Sequence, residues 1–269
     1  MMTTLNELIQ QSGTDVGLAA QQVATDKQIL IQPDQSFHPA STIKVCVMME
    51  TFHQARQGLF SLNDPILVKN EFASIADGSP YALSVDDDSE KDLYQHTGEA
   101  FPIRELILRM ITVSSNLATN LLIERVTPER TTQFMRELGT NDVIVRRGVE
   151  DNQAFQLGLN NAVTTRGLMQ ILLKLEMRKV VSRQDSDEMV RILLQQKFNE
   201  MIPAQLPADV RVAHKTGWTG KYYHDAGIVY PPNQKPFVLV ILTRGSKTES
   251  EAHARVASLA KMVYDHWAQ

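Results

Sequence analysis

One cysteine, Cys46, is all that a chain of 269 residues contains. No disulfide can form within it, and it carries no signature of an oxidising compartment. Cys46 lies in the apolar run Val45-Cys46-Val47-Met48-Met49, which reads as a buried helix face. Reactive thiols need a polar, partly exposed setting, so core packing is expected for this one. Long apolar runs are missing as well. The longest near the end, Phe237-Val238-Leu239-Val240-Ile241-Leu242, is far too short to cross a bilayer. The opening Met1-Met2-Thr3-Thr4-Leu5-Asn6-Glu7-Leu8 has no cationic stretch followed by an apolar one. No signal peptide is read there, and the chain as written is expected in the cytoplasm, a periplasmic or extracellular place requiring a leader removed beforehand. There is no block of basic residues, and the net charge is −4. That argues against nucleic acid or an anionic membrane as a partner. His214, His224 and Asp225 lie close together in sequence, but no His/Cys spacing of metal-ligand type occurs, so no metal or cofactor is expected. Internal repeats, low-complexity tracts and long linkers are also lacking.

What remains is the composition of an ordinary globular protein, 43% hydrophobic and 22% charged, long enough for one large domain or two closely packed lobes. The texture changes twice along the chain. A short leading helix is followed by strand-like stretches at 16–23 and 28–32, joined by the polar turn Ala24-Thr25-Asp26-Lys27. Helical periodicity then dominates. It predicts helices over 41–57 (closed by Gly58), after Pro102, and over 115–126, 128–138, 164–177 and 183–196. Strand patterns return at 210–217, 224–230 and 235–243, before an amphipathic helix over 248–267. Strands at both ends of a helical middle point to an α/β fold (α+β) in two lobes. Residues 1–38 and 198–269 would form a discontinuous α/β lobe and 39–197 a helical lobe, with the site in the cleft between them. The acidic cluster Asp86-Asp87-Asp88 with Glu90 reads as a solvated loop.

Three short patterns carry candidate chemistry. In Ser41-Thr42-Ile43-Lys44, a serine and a lysine three residues apart at a helix start project to one face. A serine hydroxyl needs a base to become a nucleophile, and a lysine can be that base only when burial or nearby cations keep it neutral. The helix start also offers backbone N–H groups to an oxyanion. Alone the pattern is weak, since a chain this long shows about one Ser-x-x-Lys by chance. Ser114-Ser115-Asn116 comes second: a hydroxyl to relay a proton and an amide to hold a carbonyl or a lysine. Ser-x-Asn is equally common; Ser61-Leu62-Asn63 also matches and reads as a turn, while a helix cap is the plainer role for Ser114. Third is Lys215-Thr216-Gly217 at a strand end. Its lysine and threonine suit a substrate carboxylate, and its glycine lets a substrate lie against the strand. By chance it occurs in on the order of one in twenty chains of this size.

Ser-x-x-Lys, Ser-x-Asn and Lys-Thr-Gly, in that order and each in a fitting element, resemble the signature of class A β-lactamases and penicillin-binding proteins. Residues 111–122 resemble that family's second-motif helix, and 240–246 with the closing helix its last strand and helix. The resemblance implies a β-lactamase/transpeptidase-like fold: an antiparallel sheet flanked by N- and C-terminal helices, with an all-helical lobe inserted. It also implies a serine hydrolase acting on a small-molecule amide or ester through an acyl-enzyme on Ser41. In that scheme Lys44 is the proton partner of Ser41, while Ser114 and Lys215 serve the leaving nitrogen. Asn116 and Thr216 hold substrate, and the N–H groups of Ser41 and Trp218 form the oxyanion hole. The implied activator of the deacylating water is Glu150, in Arg146-Arg147-Gly148-Val149-Glu150-Asp151-Asn152. A structural ion pair with Arg146 or Arg147 is its other reading.

The sequence departs from the family pattern in several places. Arg-x-Glu-x-x-x-Asn spacing is absent, with Ala154 at the asparagine's place and Asn160 or Asn161 as possible substitutes. Ser115 stands where many members have Asp. Trp218 is bulky for its position and would narrow the substrate slot, and residues 73–100 form a longer segment expected to cover the cleft. Three functions fit this pattern: a β-lactamase; an esterase, D-amino-acid peptidase or amidase on the same fold; and a penicillin-binding sensor acylated once.

Overall fold

Alternation of apolar side chains along five segments builds the sheet on which everything else rests. The computed structural model describes residues 5, 7–10 and 13–267. Its strands are β1 (Asp15–Gln22), β2 (Gln28–Ile31), β3 (Pro65–Leu67), β4 (Phe72–Ala73), β5 (Pro80–Tyr81), β6 (Ala100–Pro102), β7 (Arg211–Thr219), β8 (Tyr222–Tyr230) and β9 (Phe237–Arg244). Five of them form one antiparallel sheet in the order β2-β1-β9-β8-β7, so chain-terminal segments meet at its centre through the β1–β9 pairing. Two small ribbons, β3 with β6 and β4 with β5, lie outside it.

The uninterrupted apolar run in β9 is explained by burial on both sheet faces. Val238, Val240 and Leu242 join the core shared with most helices, whereas Phe237, Leu239 and Ile241 join a second core on the opposite face. Because side chains alternate along a strand, two cores require a continuous run and not an alternating one. The second core is closed by α8 (Glu249–Trp267), through Val256, Leu259 and Val263, and by Leu5 and Ile9. Residues 5 and 7–10 are helical; the other positions of the expected leading helix fall outside the described residues.

The first core is packed by α1 (Lys44–Arg56), α2 (Ile103–Thr112), α3 (Asn116–Val126), α4 (Pro128–Glu137), α6 (Thr165–Glu176) and α7 (Arg183–Leu193). A short helix, α5 (Asn152–Gln156), sits in the segment between α4 and α6. Side-chain caps start most of these helices: Ser115 accepts from the Ala118 N–H, Thr127 from Arg130, Thr164 from Gly167 and Ser182 from Asp185. The expected 41–57 helix begins as a 3-10 turn, Ala40–Ile43, before α1 proper. Cys46 is fully buried in α1, and burial pushes its thiol up to about 12, in keeping with core packing. Ser61-Leu62-Asn63 is a turn, the Asp64 N–H reaching the Ser61 carbonyl at 2.9 Å. No helix among the described residues is long and apolar enough to cross a membrane.

Candidate active site

Two sheet contacts place the nucleophile segment. The Nε2 of His224 in β8 donates to the His38 carbonyl at 2.8 Å, and the Thr243 N–H donates to His224 Nδ1 at 3.1 Å. Those partners keep His224 neutral, and burial drives its pKa down to about 4. His38 in turn accepts the Ala40 N–H at its Nδ1, 3.1 Å away. The chain is thereby pinned to the sheet just before Ser41. Gly217 in β7 completes the arrangement. A Cβ there would stand 2.8 Å from Ser41 N and 2.9 Å from Thr42 N. The approach of strand to helix start leaves no room for a Cβ there. Gly217 and Thr216 do not line the cavity. Thr216 is buried, its hydroxyl has no hydrogen-bond partner, and it lies on the face of β7 opposite Lys215.

Lys44, one helical turn beyond Ser41, is wholly buried and points at the second motif. Its Nζ donates to the Ser114 carbonyl at 2.7 Å and to Asn116 Oδ1 at 2.8 Å, and lies 3.3 Å from Ser114 Oγ. Burial depresses its pKa to about 7; the charges of Asp88 and then Glu150 pull the other way. Lys215 reaches the same hydroxyl from β7, with Nζ 3.1 Å from Ser114 Oγ and 2.9 Å from the Thr216 carbonyl. Its pKa falls well below the usual lysine range through burial and then the nearby charge of Lys44, against the opposing pull of Asp225. Ser114 thus stands between two buried amines. Its φ of 58° is in the left-handed region, which turns the chain so that its own carbonyl and Asn116 both face Lys44. The cap of α3 is the neighbouring Ser115, not Ser114.

Glu150 also has left-handed backbone, with φ of 60°. Its Oε1 accepts from Asn116 Nδ2 at 2.8 Å, and its Oε2 from the Ser84 N–H at 2.9 Å. One amide, Asn116, therefore bridges Lys44 and Glu150. The ion pair of Glu150 with Arg146 or Arg147 is not formed. Arg147 is buried and gives its guanidinium to the Gly148 carbonyl and Asn160 Oδ1, at 3.0 and 2.9 Å. Desolvation holds the Glu150 carboxyl above the usual range, against the lowering influence of the Ser84 and Asn116 hydrogen bonds.

Neither Asn160 nor Asn161 is free to orient water. Asn160 holds Arg147, while Asn161 Oδ1 accepts the N–H groups of Arg146 and Arg147 at 2.7 and 3.1 Å. Three functional positions escaped the sequence reading. Asn120 fixes the chain before Glu150 by accepting the Val149 N–H at 2.7 Å and donating to the Val149 carbonyl at 3.1 Å. Ser84 acts through its backbone. Asp88, taken as part of a solvated loop, is 3% exposed and accepts the Asn116 and Leu117 N–H groups at 2.8 and 3.0 Å. A signal for Asn120 was present one turn beyond Asn116 on the same helix; Ser84 and Asp88 had none.

These groups meet at a cavity of about 740 Å³ lined by Ser41, Ser114, Asn116, Glu150 and Trp218 among others, with Lys44 and Lys215 behind its wall. Trp218 is 37% exposed and packs edge-on against Phe198, ring centres 5.1 Å apart. Residues of the 73–100 segment, Ala82, Ser84, Asp87 and Ser89, form one side. His214 in β7 and Asp225 in β8 pair with each other at 2.9 Å, while Asp225 Oδ2 also accepts the Ile202 N–H at 3.0 Å.

The family model for the β-lactamase enzyme family matches residues 1–267. The chain belongs to the β-lactamase enzyme family. Within it, the chain is 26% identical over 265 residues to the carbapenem-hydrolysing β-lactamase KPC of Klebsiella oxytoca, covering 96% of this chain and 86% of that one. It is 24% identical to the extended-spectrum β-lactamase PER-1 of Pseudomonas aeruginosa, covering 88% and 77%. Among solved structures, TLA-1 extended-spectrum β-lactamase superposes with a TM-score of 0.86 at 17% identity, over 99% of this chain and 98% of the other. PBP-A superposes at 0.83 and 22% identity, over 100% and 97%. These superpositions carry the β-lactamase fold expected from the motif order. As a β-lactamase family member the chain is a serine hydrolase acting on amide bonds, for which the family's general route is an acyl-enzyme.

Proposed function

We propose that this β-lactamase family member opens the amide of a β-lactam and releases the product by hydrolysis, with Ser41 carrying the acyl group. The single observation that supports this reading best is the bridge from Lys44 through Asn116 to Glu150, which joins a base for acylation to a base for deacylation. Lys44, neutral in a useful fraction near pH 7, takes the Ser41 proton as Oγ attacks the carbonyl. The N–H groups of Ser41 and Trp218 face the oxyanion. As the C–N bond breaks, Ser114 gives its proton to the nitrogen and is resupplied from the flanking lysines. Glu150 then removes a proton from water as the water attacks the ester, and that proton returns to Ser41 Oγ as the acyl C–O bond breaks, leaving Glu150 ionised and Lys44 neutral as at the start. We further infer that the cavity is a cleft between an α/β lobe, 1–38 with 198–269, and a helical lobe, 39–197.

Steady turnover of a chromogenic cephalosporin is the expected result. In Ser41→Ala it falls by at least about 10³-fold, because residual binding and oxyanion contacts replace little of a missing nucleophile. Turnover retained in that variant overturns the proposal. The D-amino-acid peptidase and single-acylation readings have no separate observation in their favour. A carboxylate placed on the amide that holds Lys44 favours hydrolysis over a stable adduct.

A further inference from the structure

We propose that Asp88, carried by the 73–100 segment, is a positioning residue of the active site, its carboxylate fixing the first turn of α3 so that Asn116 bridges Lys44 and Glu150. The proposal rests on the hydrolase reading above for its context. Its geometry is that of a helix cap supplied from another part of the chain. Asp88 Oδ2 takes the N–H groups of Asn116 and Leu117, while Ser115 Oγ takes that of Ala118 at 3.2 Å, so the first three donors of α3 are all satisfied. The carboxylate is itself held. Tyr94 donates its phenol to Oδ2 at 2.9 Å, and the Glu90 N–H donates to Oδ1 at 3.1 Å. The same segment anchors Glu150 through the Ser84 N–H and Asp151 through Ser74 Oγ at 2.8 Å. A carboxylate buried to 3% exposure is costly unless its hydrogen bonds are complete, and those of Asp88 end on the residue that touches both catalytic bases.

Asp88 also faces Lys44 electrostatically, together with Glu150, while Lys215 opposes them from β7. Around Asp88 itself stand Tyr94, Glu90, Asp87 and Glu150. Removing its charge therefore lowers the Lys44 pKa, which a purely structural cap would not do.

The test uses a fluorophosphonate probe, which labels any activated serine, beside a penicillin; both are followed by intact mass across pH 5–9. For Asp88→Asn the expected plateau rate of Ser41 labelling falls about tenfold as Asn116 loses its hold. The acid limb of the profile moves down by about half a pH unit or more. Tyr94→Phe keeps the charge, so its limb stays in place and its plateau falls less than about threefold. Asp86→Asn, which removes an exposed charge two residues away, changes neither. If plateau and limb of Asp88→Asn both match the wild type, or its limb stays put while the plateau falls in step with the melting temperature, the proposal is wrong. Failure of the wild type to react with penicillin while the probe still labels Ser41 sinks the hydrolase reading instead, and leaves the Asp88 comparison measurable.

Discussion

The two halves of the site are built differently. Ser41 lies in the 3-10 turn leading into α1, Lys44 in α1 and Lys215 in β7, and the two buried amines lie 3.3 and 3.1 Å from the Ser114 hydroxyl just before α3. Glu150 is carried on irregular chain at positive φ and is fixed by a side-chain amide on one side and a loop N–H on the other. Helix and strand geometry places the first set, so sequence spacing is a direct guide to it. Hydrogen bonds between loops place the second, and those leave no periodic mark in the sequence. Change in the 73–100 segment reaches both halves, through Asp88 to the Asn116 that holds Lys44 and through the Ser84 N–H to Glu150.

The contrast can be broken from either side. Glu150→Gln is the largest expected effect on the second half alone. Deacylation falls by about 10²–10⁴-fold while acylation of Ser41 persists, as a single-turnover burst would register. Gly217→Ala strikes the first half. Its new Cβ has nowhere to go against Ser41 N, and acylation is expected to drop about 10²-fold with little change in the deacylation rate. A glycine that tolerates alanine here would remove the close approach from the account.

The pH profile sharpens the comparison further. In the proposed mechanism Lys44 acts as base only when deprotonated, and burial lowers its pKa to about 7. The acylation rate should therefore decline as pH falls through about 7 and level off above it, which a stopped-flow titration reads directly. A limb near 10 would mean that burial does not keep Lys44 neutral. Asn120→Ala is the smallest effect. It leaves the half-buried Val149 N–H without its partner, costs about 1 kcal/mol in a denaturation measurement, and slows deacylation more than acylation.

Much of this was legible beforehand because it followed from side-chain period. The β9 run, the helices over 128–138 and 183–196, and the burial of Cys46 all follow from spacing and composition. Motif order located the amines around Ser114. The failures share a cause. Asp86, Asp87 and Asp88 look alike in sequence, yet Asp86 is exposed and Asp88 caps a helix 28 positions away. Asn160 and Asn161 looked available for water until Arg146 and Arg147 were seen to occupy them. In each case a partner distant in sequence decides the role.

In the proposed mechanism one site both forms and hydrolyses an acyl-enzyme on Ser41. Intact mass of the wild type and of Glu150→Gln, followed over time after mixing with a penicillin, tests it most directly. A transient adduct is expected in the wild type and a persistent one on Ser41 in the variant. A persistent adduct in the wild type, or adduct lifetimes that do not differ between the two proteins, would contradict it.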